Sequence, residues 1–270
     1  MHFAGKVAVI TGGASGIGRG TALALARRGM DVVIADINDL RLEETRAAIA
    51  ALGRRALAVH CDVSQDAAVE RLGETALSLM GRVDILMNNA GVVLRGALEL
   101  IPVADWEWSF GINVLGVVRG IRTFLPHMLE RGSGYIINTG SVAGLIALTG
   151  EGAPYVASKF AVVGLSEALA LYARPRGIGV SVLCPGSVDT NLYETERAIG
   201  ITPAMALAEA ASSAVFHSVL MTPDQIGEAV VEAVQQQRFF VLPDHHQQSI
   251  IVQRAQDMNA FLDARLKGQP

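Results

Sequence analysis

At 270 residues, 51% of them hydrophobic, the chain is long enough to bury a substantial core in one large domain. Its formal charge of −4 is mild and unclustered, which argues against a nucleic-acid surface. Two cysteines, Cys61 and Cys184, lack metal-ligand spacing and read as small buried thiols, suiting a reducing compartment.

Met1–Gly5 runs straight into the apolar stretch after Lys6, without a basic and apolar leader, and the expected location is cytoplasmic. The uncharged stretch Gly132–Gly150 carries five glycines among polar residues, which disqualifies it as a membrane span. Short apolar runs recur at Val7–Ile10, Val32–Ala35, Ala56–Val59, Val83–Met87, Tyr135–Asn138, Val180–Leu183 and Phe239–Leu242. Runs of this length without polar alternation suit parallel strands covered on both faces. Helical spacing fills the intervals at Gly16–Arg28, Leu40–Leu52, Ala67–Met80, Ala104–Leu129, Pro154–Tyr172 and Pro223–Gln236. The alternation predicts an α/β fold, a Rossmann-like doubly wound parallel sheet of about seven strands with helices on both faces. One domain spans residues 1–270. A substrate-covering lobe is expected at about 190–221, its second half nearly apolar around His217, and an amphipathic helical tail at about 244–270.

After the first strand comes Thr11-Gly12-Gly13-Ala14-Ser15-Gly16-Ile17-Gly18, then a helix. A glycine turn opening a helix lets backbone N–H groups and the helix dipole meet a pyrophosphate. The second run ends at Asp36, where a carboxylate accepts both ribose hydroxyls of an adenosine and repels a 2′-phosphate. No Lys or Arg stands at Ala14, Ser15, Ile37 or Asn38, so NAD is favoured over NADP. Asp62, followed by Val63 at the third strand end, either bonds the adenine amino group or caps the next helix. Asn88-Asn89-Ala90-Gly91 closes the fourth run; alone it reads as a turn.

Tyr155 and Lys159 are four apart near the start of a helix and share one face. Ser141 stands upstream after a strand, and Asn113 lies within the long helix before that. With these residues in this order, the sequence resembles the short-chain dehydrogenase/reductase family in its single-domain form, from Lys6 to about Leu242. The resemblance implies a phosphate loop using Gly12, Ser15, Gly16, Ile17 and Gly18, and cofactor contacts at Asp36, Asp62, Val63, Asn89, Ala90 and Gly91. It implies that Pro185-Gly186 leads to Val188 and Thr190, which hold the nicotinamide carboxamide. It also implies a catalytic tetrad of Asn113, Ser141, Tyr155 and Lys159, the last two touching the cofactor as well. In that scheme Tyr155 handles the alcohol proton, Lys159 stabilises its phenolate and binds the nicotinamide ribose, Ser141 holds the substrate oxygen, and Asn113 holds a water linking Lys159 to solvent. The sequence departs at Gly140, where many relatives carry a serine, leaving Ser141 as the sole candidate.

The expected activity is therefore NAD-dependent hydride exchange with a secondary alcohol or ketone. Val93, Leu94, Leu145, Ile146 and Leu148 near the expected pocket suggest an apolar, medium-sized substrate. Glu151 and His217 read as a solvated acid and a packed or surface histidine, with substrate contact as the alternative, and His245-His246 lacks partners for a metal site. A homodimer or homotetramer is expected through the helices at Ala104–Leu129 and Pro154–Tyr172; no nucleic-acid or membrane partner is. Two other readings compete. A non-catalytic NAD-binding regulator or scaffold has no need of the intact tetrad, and epimerase or dehydratase chemistry usually brings a longer C-terminal domain and a different glycine spacing.

Overall fold

A computed structural model describes residues 2–147, 150, 152–201 and 219–267. The first half runs β1 (Val7–Thr11), α1 (Gly16–Arg27), β2 (Asp31–Asp36), α2 (Asp39–Ala51), β3 (Ala56–His60), α3 (Asp66–Met80), β4 (Ile85–Asn88), β5 (Leu94–Gly96), α4 (Val103–Asn113) and α5 (Leu115–Arg131). The second half runs β6 (Gly134–Thr139), α6 (Ala153–Ala173), β7 (Ile178–Leu183), β8 (Arg197–Ile199), α7 (Pro223–Gln235), β9 (Phe240–Val241), α8 (Gln247–Gln256) and α9 (Met258–Leu266).

Seven strands form one parallel sheet in the order β3-β2-β1-β4-β6-β7-β9. Every residue of β1, β4, β6 and β7 is buried, which is why these strands read as unbroken apolar runs. One face packs on α1 and α7 through residues such as Leu25, Ile34, Ile226 and Val230. The other packs through Leu72 of α3, Phe124 of α5 and Leu169 of α6. The chain steps outward in one direction from β1 and in the other from β4, so a crevice opens at their carboxyl ends. The segment Ala153–Arg176, containing α6, is long and apolar enough by composition to cross a membrane. Here it covers the sheet with Val162, Ser166 and Leu169 buried.

Three features depart from the expectations. The helix expected over Ala104–Leu129 is broken at Val114, and Asn113 ends α4 rather than lying inside a continuous helix. The tail forms two helices, because Asp257 is extended (φ −151°) and its side chain caps α9 by accepting from Ala260 N at 2.9 Å. A second, two-stranded sheet pairs β5 with β8. Of the lobe expected at 190–221, residues 190–201 and 219–221 are described; His217, Glu151 and Leu148 lie outside the described residues.

At the amino end of the sheet, buried Asp84 ties three elements together. It accepts from the Val7 amide at 3.0 Å, from Arg82 Nε at 2.8 Å and Nη2 at 2.6 Å, and from Arg131 Nη2 at 2.8 Å. Burial alone would raise its carboxyl, but the hydrogen bonds from Arg82, Val7 and Arg131 outweigh it and hold the group below the usual range. A depressed native value contributes stability that is complete above the unfolded carboxylate range, near 4, and lost as pH falls through the native value. Asp84→Asn is therefore expected to cost about 2 kcal/mol at neutral pH in urea denaturation. The gap from the parent protein should close on acidification; a pH-independent gap would contradict this.

Candidate active site

The crevice at the carboxyl edge of the sheet is a continuous cleft of about 610 Å³, within the usual range for small-molecule sites. Of the catalytic and cofactor-binding residues expected from the sequence, all but Gly18 and Asn113 line it.

Its first end is built by the turn between β1 and α1. Ser15 sits at the helix N-cap with its side chain making no capping bond, so the first-turn amides at Gly16 and Ile17 are not capped by it. The turn is pinned from three sides. Asn89 Nδ2 donates to the Thr11 and Gly12 carbonyls, both at 3.1 Å. The Asn89 amide in turn donates to Thr11 Oγ1 at 3.0 Å, and the Ala14 amide donates to Asp36 Oδ2 at 3.2 Å. A Cβ at Gly18 would fall 2.1 Å from the Gly12 carbonyl oxygen, so the helix can close on the turn only with glycine there. Gly18 thus shapes the cradle without lining it. Asn89 likewise acts first as a tie, its side chain occupied by the loop and by Thr139, which donates at 3.3 Å.

Asp36 stands at the tip of β2, where Oδ1 accepts from the Ile37 and Asn38 amides at 2.8 and 3.1 Å. Asp62 accepts from the Ser64 amide at 2.9 Å while α3 begins at an N-cap on Gln65, so Asp62 stabilises the turn and does not cap the helix. Cys61 is buried at the cleft wall, and burial pushes its thiol up to about 11. A glycine turn opening a helix beside a strand-end carboxylate is a lining that fits a dinucleotide, whose pyrophosphate the turn would hold and whose ribose Asp36 would accept.

The second end gathers the chemical groups. The break between α4 and α5 leaves Asn113 gripping the Val92 backbone from both sides. Its Oδ1 accepts from the Val92 amide at 2.9 Å, and its Nδ2 donates to the Val92 carbonyl and to Ser158 Oγ, both at 3.0 Å. Ser158 Oγ donates to the Tyr155 carbonyl at 2.7 Å, so the grip reaches the first turn of α6. Tyr155 and Lys159 project from that turn into the cleft. Lys159 is 4% exposed, donates to the Thr139 carbonyl at 2.9 Å and lies 5.6 Å from the Tyr155 ring centroid. Burial drops its ammonium to about 8. Burial likewise raises the Tyr155 phenol to about 12, against the downward pull of its hydrogen bond with Ser141. Ser141 also accepts from the Ala143 amide at 3.1 Å, which fixes its rotamer.

Past this point Val93 lines the cleft, whereas Leu94 and Ile146 are buried in the interior and Leu145, half-buried, packs against the cluster with Ile146, so none of the three forms its wall. Val92, Val142, Val156, Leu192, Tyr193 and Leu220 form it with Val93. Several polar residues on the walls carried no signal in the sequence, each being an isolated side chain, among them Arg41, Arg95, Glu194 and Gln247. Arg41 grips Glu194 with both η nitrogens at 2.7 and 3.1 Å, Arg95 pairs with Glu196, and Arg197 pairs with Asp105 while covering the Trp108 ring at 3.8 Å. These pairs strap residues 191–199 to α2, β5 and α4.

Known proteins share this arrangement. The sequence pattern of the short chain dehydrogenase family matches residues 6–201. A "CLA biosynthesis dehydrogenase/reductase" of Lactiplantibacillus plantarum is 39% identical over 198 residues, covering 72% of this chain and 69% of that protein. The oxidoreductase EphD of Mycobacterium tuberculosis is 38% identical over 195 residues, covering 72% of this chain but only 33% of that longer protein. A crystal structure of a short-chain dehydrogenase/reductase from Burkholderia phymatum in complex with NAD superposes with a TM-score of 0.88 at 35% identity, over 96% of both chains. The sheet, the glycine turn and the family match agree: this chain belongs to the short-chain dehydrogenase/reductase family, as an oxidoreductase with a nicotinamide cofactor site.

Proposed function

We propose that this protein is an NAD-dependent oxidoreductase interconverting a secondary alcohol and a ketone, with Tyr155 as its general acid and base. The observation that carries the reading is the convergence of Tyr155, Ser141 and Lys159 in the cleft whose other end is the glycine turn and Asp36. The nicotinamide ring, when bound, supplies the acceptor or donor of hydride.

Tyr155 takes the carbinol proton in oxidation and returns it in reduction. A phenol raised to about 12 is a poor base at neutral pH, so its anion needs positive charge close by. Lys159 supplies one such charge. With its ammonium at about 8, it remains mostly protonated at pH 7, and stabilising the phenolate stabilises its own protonated form in turn. Ser141 meets the substrate oxygen, donating to a carbonyl or accepting from an alcohol. Both Nδ2 hydrogens of Asn113 are used by Val92 and Ser158, so its side chain keeps the break after α4 in place, and a water serving Lys159 would be held there by the second lone pair of Oδ1 or by backbone.

Asp36 supports the preference for NAD, because a carboxylate at the tip of β2 would repel a 2′-phosphate brought to the adenosine ribose. Arg41 is the nearby cation on the cleft wall, and its bidentate grip on Glu194 occupies the charge that would otherwise attract that phosphate. The mainly apolar second end favours a substrate with a hydrophobic body. Association into a homodimer or homotetramer through α5 and α6 is consistent with exposed Leu115 and Val118 on one and Leu171 and Tyr172 on the other.

Absorbance in the reduced-nicotinamide band, with a panel of secondary alcohols, tests the reading. Tyr155→Phe should lower turnover about a thousandfold while NAD still binds; turnover equal to the parent would remove Tyr155 from the chemistry. Asp36→Ser should raise the use of NADP relative to NAD by about tenfold or more. An unchanged ratio would mean that Asp36 does not select the cofactor.

A further inference from the structure

The chain leaves β7 and crosses back over the cleft. Its root is pinned on Met221, just before α7: the Met221 amide donates to the Ser187 carbonyl at 3.0 Å and the Asp189 amide to the Met221 carbonyl at 2.9 Å. Thr190 then rests on the glycine turn, so close that a Cβ at Gly16 would fall 3.0 Å from its methyl carbon. Glu194, four residues further on, meets Arg41 in the first turn of α2. Arg41 Nη1 donates to Oε2 at 2.7 Å and Nη2 to Oε1 at 3.1 Å. In the sheet, β1, β4 and β6 lie between β7 and β2, the strand that leads into α2. The ion pair therefore joins the two banks of the cleft across the ends of three strands, and both side chains line it.

Each end of the pair is fixed. On one bank Asp36 Oδ1 accepts from the Asn38 amide, and the Asn38 side chain caps α2 by accepting from the Arg41 amide at 3.1 Å. Arg41 thus stands on the same turn as the carboxylate expected to receive the ribose. On the other bank Asn191 Nδ2 donates to Glu194 Oε1. The hydrogen bonds from Arg41 and Asn191 hold the Glu194 carboxyl below its usual range, so the pair is fully charged at neutral pH. Both side chains are partly exposed, and an exposed ion pair contributes little to folding. A bidentate arginine–carboxylate pair nevertheless has a defined geometry, and here that geometry closes the cleft over the glycine turn. Beyond Glu194 the chain is held on the substrate side by β8 and by the pairs Arg95–Glu196 and Arg197–Asp105. Residues 190–195 are therefore an arch with the Arg41–Glu194 pair at its tip.

We propose that Glu194 is a positioning residue that acts through Arg41: the pair latches residues 190–195 over a bound dinucleotide, slowing its release and holding Leu192 and Tyr193 in place on the cleft wall. This rests on the nicotinamide cofactor site and not on the alcohol–ketone reading.

The test is the dissociation rate of reduced NAD from its binary complex, read by nicotinamide fluorescence in stopped flow after displacement with excess oxidised NAD. Glu194→Gln, nearly the same shape without the charge, should release it about threefold faster than the parent at low ionic strength. In an Arg41→Gln background the same substitution should change the rate by less than about 1.5-fold, since the pair is already gone. Raising the salt to about 0.5 M should narrow the gap between the parent and Glu194→Gln. The thermal midpoint of the unliganded protein should be the same in all four proteins, which separates the latch from a general loss of structure. Release from Glu194→Gln at the parent's rate or slower, or an equal acceleration with and without Arg41, would overturn the proposal. Failure of the parent to bind reduced NAD would instead remove the NAD reading, and the latch with it.

Discussion

An ammonium group inside a protein must be paired or lose its proton, and buried Lys159 is held on a backbone carbonyl at the end of β6 beside the half-buried Tyr155. Burial moves the two groups in opposite directions, the lysine down to about 8 and the tyrosine up to about 12. Each is displaced toward neutrality, so each gains most when the other ionises. The site is therefore incomplete by itself. A cation bound beside the pair would favour the phenolate, which couples the proton chemistry of Tyr155 to occupation of the other end of the cleft.

The fold delivers that pair through a few ties. Asn89 and Thr11 fasten β4 to the glycine turn, so the cofactor cradle and the sheet's central strand move as one body. On the far side, Asn113 fastens the chain after β4 to the first turn of α6 through Val92 and Ser158. Both ties converge on residues 88–92, a short stretch bridging the two ends of the cleft. Precision at Tyr155 thus depends on hydrogen bonds made several residues away, as expected for preorganised sites.

Much of this was legible in the sequence. The parallel strands stood out because covering both faces of the sheet leaves little room for polar residues, and the glycine turn stood out because its close packing excludes side chains. Tyr155, Lys159 and Ser141 stand out through the resemblance to the family, whose order and spacing they match, and all three meet in the cleft. The break at Val114 was hidden because the apolar pattern of α4 continues into α5, and Gly111 and Gly116 on either side of it are compatible with one continuous helix. The strands β5 and β8 are three residues each, and their pairing joins segments about a hundred residues apart, which no local pattern records. Leu94, Leu145 and Ile146 are close to the site in sequence, yet Leu94 and Ile146 turn into the interior and Leu145 packs half-buried behind the wall. Arg41, Arg95 and Gln247 reach the cleft as single residues, and only tertiary structure shows that they do.

The central claim is that cofactor charge, acting with Lys159, makes Tyr155 ionisable. Tyrosinate absorbance at about pH 9.5, taken as the difference between the parent protein and Tyr155→Phe, measures that directly; a phenol near 12 is almost wholly protonated there. Without NAD the difference should show almost no Tyr155 phenolate, and saturating oxidised NAD should bring up about half an equivalent or more as the titration moves down by about 2.5 pH units or more. The same absorbance difference with and without NAD would contradict the account, because the pair would then not be coupled to the cofactor end of the cleft.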